Sequence, residues 1–150
     1  MKKDWIQNIP IYNYIKNEDF QKSKIDKFFN NYSIHDSYLI DFKINGIDEL
    51  IIIIQIDPYW SKEFLTYQTS EIKYWPYVIL NFFGVNEVKA IFANHSMQLG
   101  FSGADFEVID ERIKVYLHGT YGDEFTLQAD NKLFVLCFDW KYNIINLKEL

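Results

Sequence analysis

The chain has 150 residues, 49% hydrophobic, 24% charged and 19% aromatic, with a net charge of −6 and one arginine, Arg112, among fifteen basic side chains. These figures fit a single domain, residues 1–150, with a real core, and exclude a disordered or low-complexity chain. They also argue against nucleic acid as a ligand, because phosphate recognition draws on basic stripes and arginine forks that this chain lacks.

At the N-terminus, Asp4, Gln7, Asn8 and Pro10 interrupt any apolar run before it reaches the length of a signal-peptide core. The longest apolar run, ELIIIIQID, is far shorter than the roughly 20 residues a membrane-crossing helix needs. The expected location is therefore the cytoplasm, with no membrane partner. The first periodic signal lies in NEDFQKSKIDKFFNNY. Ile25, Phe28, Phe29 and Tyr32 recur at helical spacing, with Asn17 as N-cap, Glu18 and Asp19 at the positive end of the dipole, and Asn30 and Asn31 at the end. This pattern predicts a helix over residues 17–30 with one apolar stripe on a sheet.

His35, Asp36 and Ser37 follow. Consecutive residues cannot form a Ser-His-Asp relay, since the base must reach the nucleophile on one side and the orienting acid on the other. The triplet reads instead as a polar turn that ends the helix and aims the first long strand. In that strand Tyr38, Ile40, Phe42 and Ile44 alternate with Leu39, Asp41 and Lys43, so the even positions are expected to face the core. Asn45 and Gly46 open the connection to ELIIIIQID, which is apolar on both faces and reads as a central strand, paired antiparallel with its predecessor and covered on one side by the helix.

Residues 58–76, PYWSKEFLTYQTSEIKYWP, are bounded by prolines and too long for a plain hairpin loop, so they are expected to carry function or a short element of their own. Tyr59, Trp60, Tyr74 and Trp75, with Glu63 and Glu71, mix rigid rings and charge as protein-binding surfaces do; the plainer reading is that these rings cover one end of the sheet. Further strands are predicted in YVILNFF, VKAIF, RIKVYLH, EFTLQA and KLFVLCF, joined by the turns HGTYGDE and ADNK into a meander of hairpins. Asp105, Glu107, Asp110 and Glu111 cluster in GADFEVIDER and read as a solvated acidic edge suited to a basic partner. Cys137, the single cysteine, allows no internal disulfide and reads as an inert core thiol. The expected fold class is α+β, predominantly antiparallel β: a twisted sheet or partly open barrel with an N-terminal helix packed on it.

No metal site and no cofactor are expected. His95 and His118 have no His or Cys at ligand spacing, and a metal site would have to be assembled across the fold from His35, His95 or His118 and a carboxylate. There is no phosphate-cradling glycine loop and no Gly-x-Ser-x-Gly elbow.

The order of elements carries a resemblance. An HDS triplet beginning a strand, then ELIIIIQID, then YVILNFFGVNEVKAIF and ERIKVYLHGTYGDEFTLQADNKLFVLCF, resembles the immunity protein 50 family and related bacterial families. The letters that carry it are His35, Asp36, the NFFGV of residues 81–85 and the turn before Phe125. The resemblance implies a small, strand-rich cytoplasmic protein that binds and neutralises a cognate polymorphic toxin domain, without catalysis. The chain departs from that pattern in its helix and its aromatic segment. Acidity and abundant aromatics are compatible with a binder of a basic protein. A second reading stays open: a small ligand-binding protein or enzyme with a pocket near His35, Asp36 and Tyr38.

Overall fold

Side-chain alternation along short apolar runs produces ten strands and one short helix in the computed structural model, which describes residues 17–91, 100–120 and 122–150. In chain order these are β1 (Gln21–Ser23), α1 (Ile25–Asn31), β2 (Tyr38–Asn45), β3 (Glu49–Gln55), β4 (Tyr77–Phe82), β5 (Glu87–Ile91), β6 (Phe101–Ile109), β7 (Arg112–Gly119), β8 (Glu124–Asp130), β9 (Leu133–Phe138) and β10 (Ile144–Ile145). Every pairing is antiparallel. One sheet has the order β1-β9-β4-β3-β2, with β10 also on β9; the other has the order β5-β8-β7-β6. The fold is thus α+β and predominantly antiparallel, in two sheets that do not close into a barrel. No helix among the described residues is long and apolar enough to cross a membrane. The N-terminal stretch before residue 17 and His95 lie outside the described residues.

The core follows from β3. Leu50, Ile52, Ile54 and Ile56 enter one buried cluster with Ile25 and Phe28 of α1 and with Val115, Leu117, Phe125 and Leu127 of the second sheet. Ile51 and Ile53 enter a separate cluster on the other face with Ile79, Leu136 and Phe138. The strand is buried on both faces, as its unbroken isoleucine run requires. Its inner face is covered by the second sheet as well as by the helix.

The helix is shorter than the predicted residues 17–30. Asn17–Asp19 form a 3-10 turn, and Gln21, Lys22 and Ser23 pair with Val135, Phe134 and Leu133 of β9. Backbone groups along β9 need partners, and strand pairing there outweighs a weak helical preference. The helix begins at Ile25, whose N–H donates to Asn131 Oδ1 at 2.7 Å, so the cap comes from a side chain 106 residues away and not from Asn17.

In β2 the even positions do not all face the core. Leu39 opposes Ile54 and Asp41 opposes Ile53, leaving Ile40 as the extra residue of a bulge. One inserted residue reverses the faces on its N-terminal side, so Leu39 joins Phe42 on the core while Ile40 is exposed; Ile44, opposite Leu50, stays on the face of Phe42 and is exposed near the end of the strand. The ADNK turn is a crossover between sheets, since β8 lies in one and β9 in the other. GADFEVI, the first part of the segment read above as an acidic edge, belongs to a nine-residue strand, β6.

The sole arginine fastens the other crossover. Arg112 donates to Asp130 Oδ1 at 2.8 Å, to the Gly84 carbonyl at 2.9 Å and to Asn86 Oδ1 at 2.8 Å, tying β7 and β8 to the connection between β4 and β5. Gly84 sits at φ +62°, where a Cβ would lie 2.3 Å from the Asp130 carboxylate, so glycine is required there for both conformation and space.

Candidate functional site

The two sheets meet at the HDS turn. Tyr38, at the start of β2, forms a bridge with Gly100, just before β6. Asp36 N–H donates to Phe101 O and Phe101 N–H donates to Ser37 O, both at 2.8 Å. Asp36 adopts φ +60°, a left-handed conformation that Asp tolerates better than most residues. His35 Nδ1 lies 2.9 Å from Ser102 O; a carbonyl can only accept, so Nδ1 carries the proton. The imidazole Nε2 is 3.7 Å from Asp36 Oδ2, beyond hydrogen-bond reach.

Ser37 is fully buried, and its Oγ accepts the Asp57 N–H at 2.9 Å. Its hydroxyl is thus engaged with the main chain, and the three residues do not couple as nucleophile, base and acid. Asp57 extends the network: its carboxylate accepts from Tyr59 N–H at 2.9 Å and from Trp60 Nε1–H at 3.2 Å. The Trp60 ring then meets the His35 ring edge to face, with centroids 4.3 Å apart. The HDS turn and the first half of the aromatic segment, separate in sequence, form one structure. Beside it lies a groove of about 320 Å³ walled by Tyr32, Ser33, His35, Trp60, Ser102 and Ala104.

The aromatic and acidic candidates divide. Tyr59 and Trp60 are about half exposed, at 53% and 49%. Trp75 is only 8% exposed; it packs on Tyr38 and donates its indole N–H to Thr69 O, so it is a wall of the core and no contact surface. Glu63 is half-buried near Tyr32, whose hydroxyl is pushed up to about 12, first by burial and then by the Glu63 charge. Glu71 is exposed and pairs with Lys73 at 3.5 Å. Tyr74 lies against Trp140 at 4.7 Å, in a second aromatic cluster.

Asp105 and Glu107 are exposed on β6, and Asp110 and Glu111 form the two-residue loop to β7. Asp105 Oδ2 meets His118 Nε2 at 2.8 Å, and Glu107 stands opposite Lys114 in register. His118 and His35 therefore have separate partners. Among the described residues no three His, Cys, Asp or Glu side chains are grouped to hold a metal ion.

Three participants were missed in the sequence. Asp57 precedes Pro58 and Tyr59, a turn-forming context that signals carboxylate-to-amide bonding. Trp140 stands in DWKYN, where Asp139 Oδ1 accepts the Lys141 and Asn143 amides and folds the turn that leaves the ring exposed. Ser102 carries no such signal, because its role comes from a bulge against β7. Compared with known proteins, the chain matches no family model, no curated protein and no solved structure.

Proposed function

We propose that the chain is a non-catalytic, immunity-type protein that acts in the cytoplasm by binding and neutralising a cognate toxin domain with a basic surface. The observation that carries the reading is the setting of Trp60. Its indole is half exposed yet held on two sides, by Asp57 through Nε1 and by the His35 ring. A ring fixed before binding loses little rotamer freedom on contact, which is the property of interface anchors. Exposed Tyr59 lies beside it in sequence, and the net charge of −6 favours encounter with a basic partner.

The test is growth rescue by this protein of cells expressing the toxin fragment encoded immediately upstream, with co-purification of the pair. Trp60→Ala is expected to weaken association by roughly tenfold or more while the melting temperature stays within a few degrees, as for a central anchor. Association is also expected to slow as salt rises, because screening removes long-range attraction. Full rescue by Trp60→Ala would move the interface elsewhere, and no rescue from a demonstrably toxic fragment would reject that pairing.

The groove beside His35 favours a second reading, a small-molecule site. It predicts that a metabolite screen finds a compound raising the melting temperature of the wild type and not of His35→Ala. A screen without response would count against it.

A further inference from the structure

A strand at the end of a sheet leaves half its backbone groups without a partner in the sheet, and such an edge is a template for another chain. Among the described residues, β6 ends the second sheet and pairs with β7 alone. Its two halves differ. At Phe101 and Ser102 the outward backbone groups are taken by the HDS turn, through the Asp36 and Ser37 main chain and the His35 ring. From Asp105 to Ile109 the strand is exposed except for half-buried Phe106.

The orientation of the remaining groups follows from two independent features. Phe101 turns its N–H and C=O to the HDS turn, and the bulge between Phe101 and Gly103 inserts one residue. At the other end, a two-residue loop joins Ile109 to Arg112, so that closing pair exchanges hydrogen bonds across the hairpin. Counting by alternation from either end, the backbone groups facing away from β7 belong to Ala104, Phe106 and Val108.

Side chains along the same stretch select an occupant. Asp105 and Glu107 stand on the outer face of the sheet, whereas Phe106 and Val108 face the side of the core, with Val108 still 46% exposed. A second copy of β6 laid along this edge would bring acids against acids, which is unfavourable across a strand pair. A segment alternating basic and apolar residues would set its cations beside Asp105 and Glu107 and its apolar side chains beside Phe106 and Val108.

We propose that the β6 edge accepts an extended, basic segment of the partner protein as a fifth strand of the second sheet, with the HDS turn as the stop that fixes where the added strand begins. The proposal deepens the toxin-binding reading and rests on it for the partner's identity. It gives the HDS triplet a role in recognition through position: the turn occupies the first part of the edge and leaves the remainder open.

The probe is a short synthetic peptide of alternating lysine and valine, with an alternating glutamate and valine peptide as control. Binding is expected to slow amide exchange at Ala104, Phe106 and Val108. Val108→Pro is expected to abolish it with little change in melting temperature, because that amide faces away from β7. Glu107→Pro, which removes an amide facing β7, is expected to destabilise the fold. The double variant Asp105→Lys/Glu107→Lys is expected to weaken binding by roughly tenfold or more. The proposal is overturned if the lysine peptide does not bind, protects residues 38–45 of β2 instead, binds Val108→Pro as well as wild type, or if the protein self-associates through β6. The two readings separate cleanly: peptide binding without growth rescue removes the toxin partner and keeps the edge, whereas rescue by Val108→Pro keeps the partner and removes the edge.

Discussion

At the scale of the residue, chemistry depends on neighbours that sequence proximity does not supply. His35, Asp36 and Ser37 were legible as a turn, because three consecutive side chains cannot converge on one reaction. Their partners were not legible: Ser102, Phe101 and Asp57 come from other elements. Cys137 shows the opposite case. Its apolar neighbours in sequence predict burial, and the thiol is buried, its pKa pushed up first by loss of solvent and then by the Asp139 charge. Tyr32 is likewise raised, from 10.0 to about 12. Both shifts favour the protonated, folded form. Their stabilising effect is complete below the unfolded values, 9.0 for the thiol and 10.0 for the phenol, and is lost as pH rises through the folded ones. Urea midpoints should therefore fall from about pH 9 upward, and a thiol reagent should label Cys137 only on unfolding. Rapid labelling of the native protein would contradict the buried assignment.

At the scale of the element, local signals located segments and long-range bonds set their limits. The helical spacing of Ile25, Phe28 and Tyr32 was real, and Ile25, Phe28 and Tyr32 are buried. What the spacing could not place was the start of the helix, because Asn131 caps it and also donates to Asp26 Oδ1 at 2.9 Å. Asn131→Ala should cost about 1 kcal/mol, the usual loss for a missing N-cap, read as a lower urea midpoint with an unchanged slope. A loss no larger than for a surface alanine elsewhere would show that water serves the Ile25 amide equally well. The bulge in β2 was hidden for a related reason. Tyr38, Ile40, Phe42 and Ile44 alternate cleanly, and only pairing with β3 shows that Ile40 has no opposite residue.

At the scale of the whole molecule, two sheets share a core through β3, β4 and β9, the strands at the centre of the first sheet. Amides there should exchange slowest of all, because opening them exposes buried apolar side chains on both faces. The outer half of β6 should exchange orders of magnitude faster; equal protection would mean that its edge is covered in solution. By itself the sequence determined the antiparallel class, the two-faced burial of β3, the turn at His35 to Ser37, the core thiol and a proline-bounded aromatic segment too long for a plain hairpin loop. These are properties of one segment at a time, set by side-chain period and turn chemistry. Only the tertiary structure decided which sheet each strand joins, that Trp60 is displayed while Trp75 is buried, and that β6 is an edge whose beginning is closed by the HDS turn. Alternation states which face of a strand is apolar; it is silent about the neighbour. That choice depends on hydrogen bonds and packing between residues far apart in the chain, summed over the whole fold.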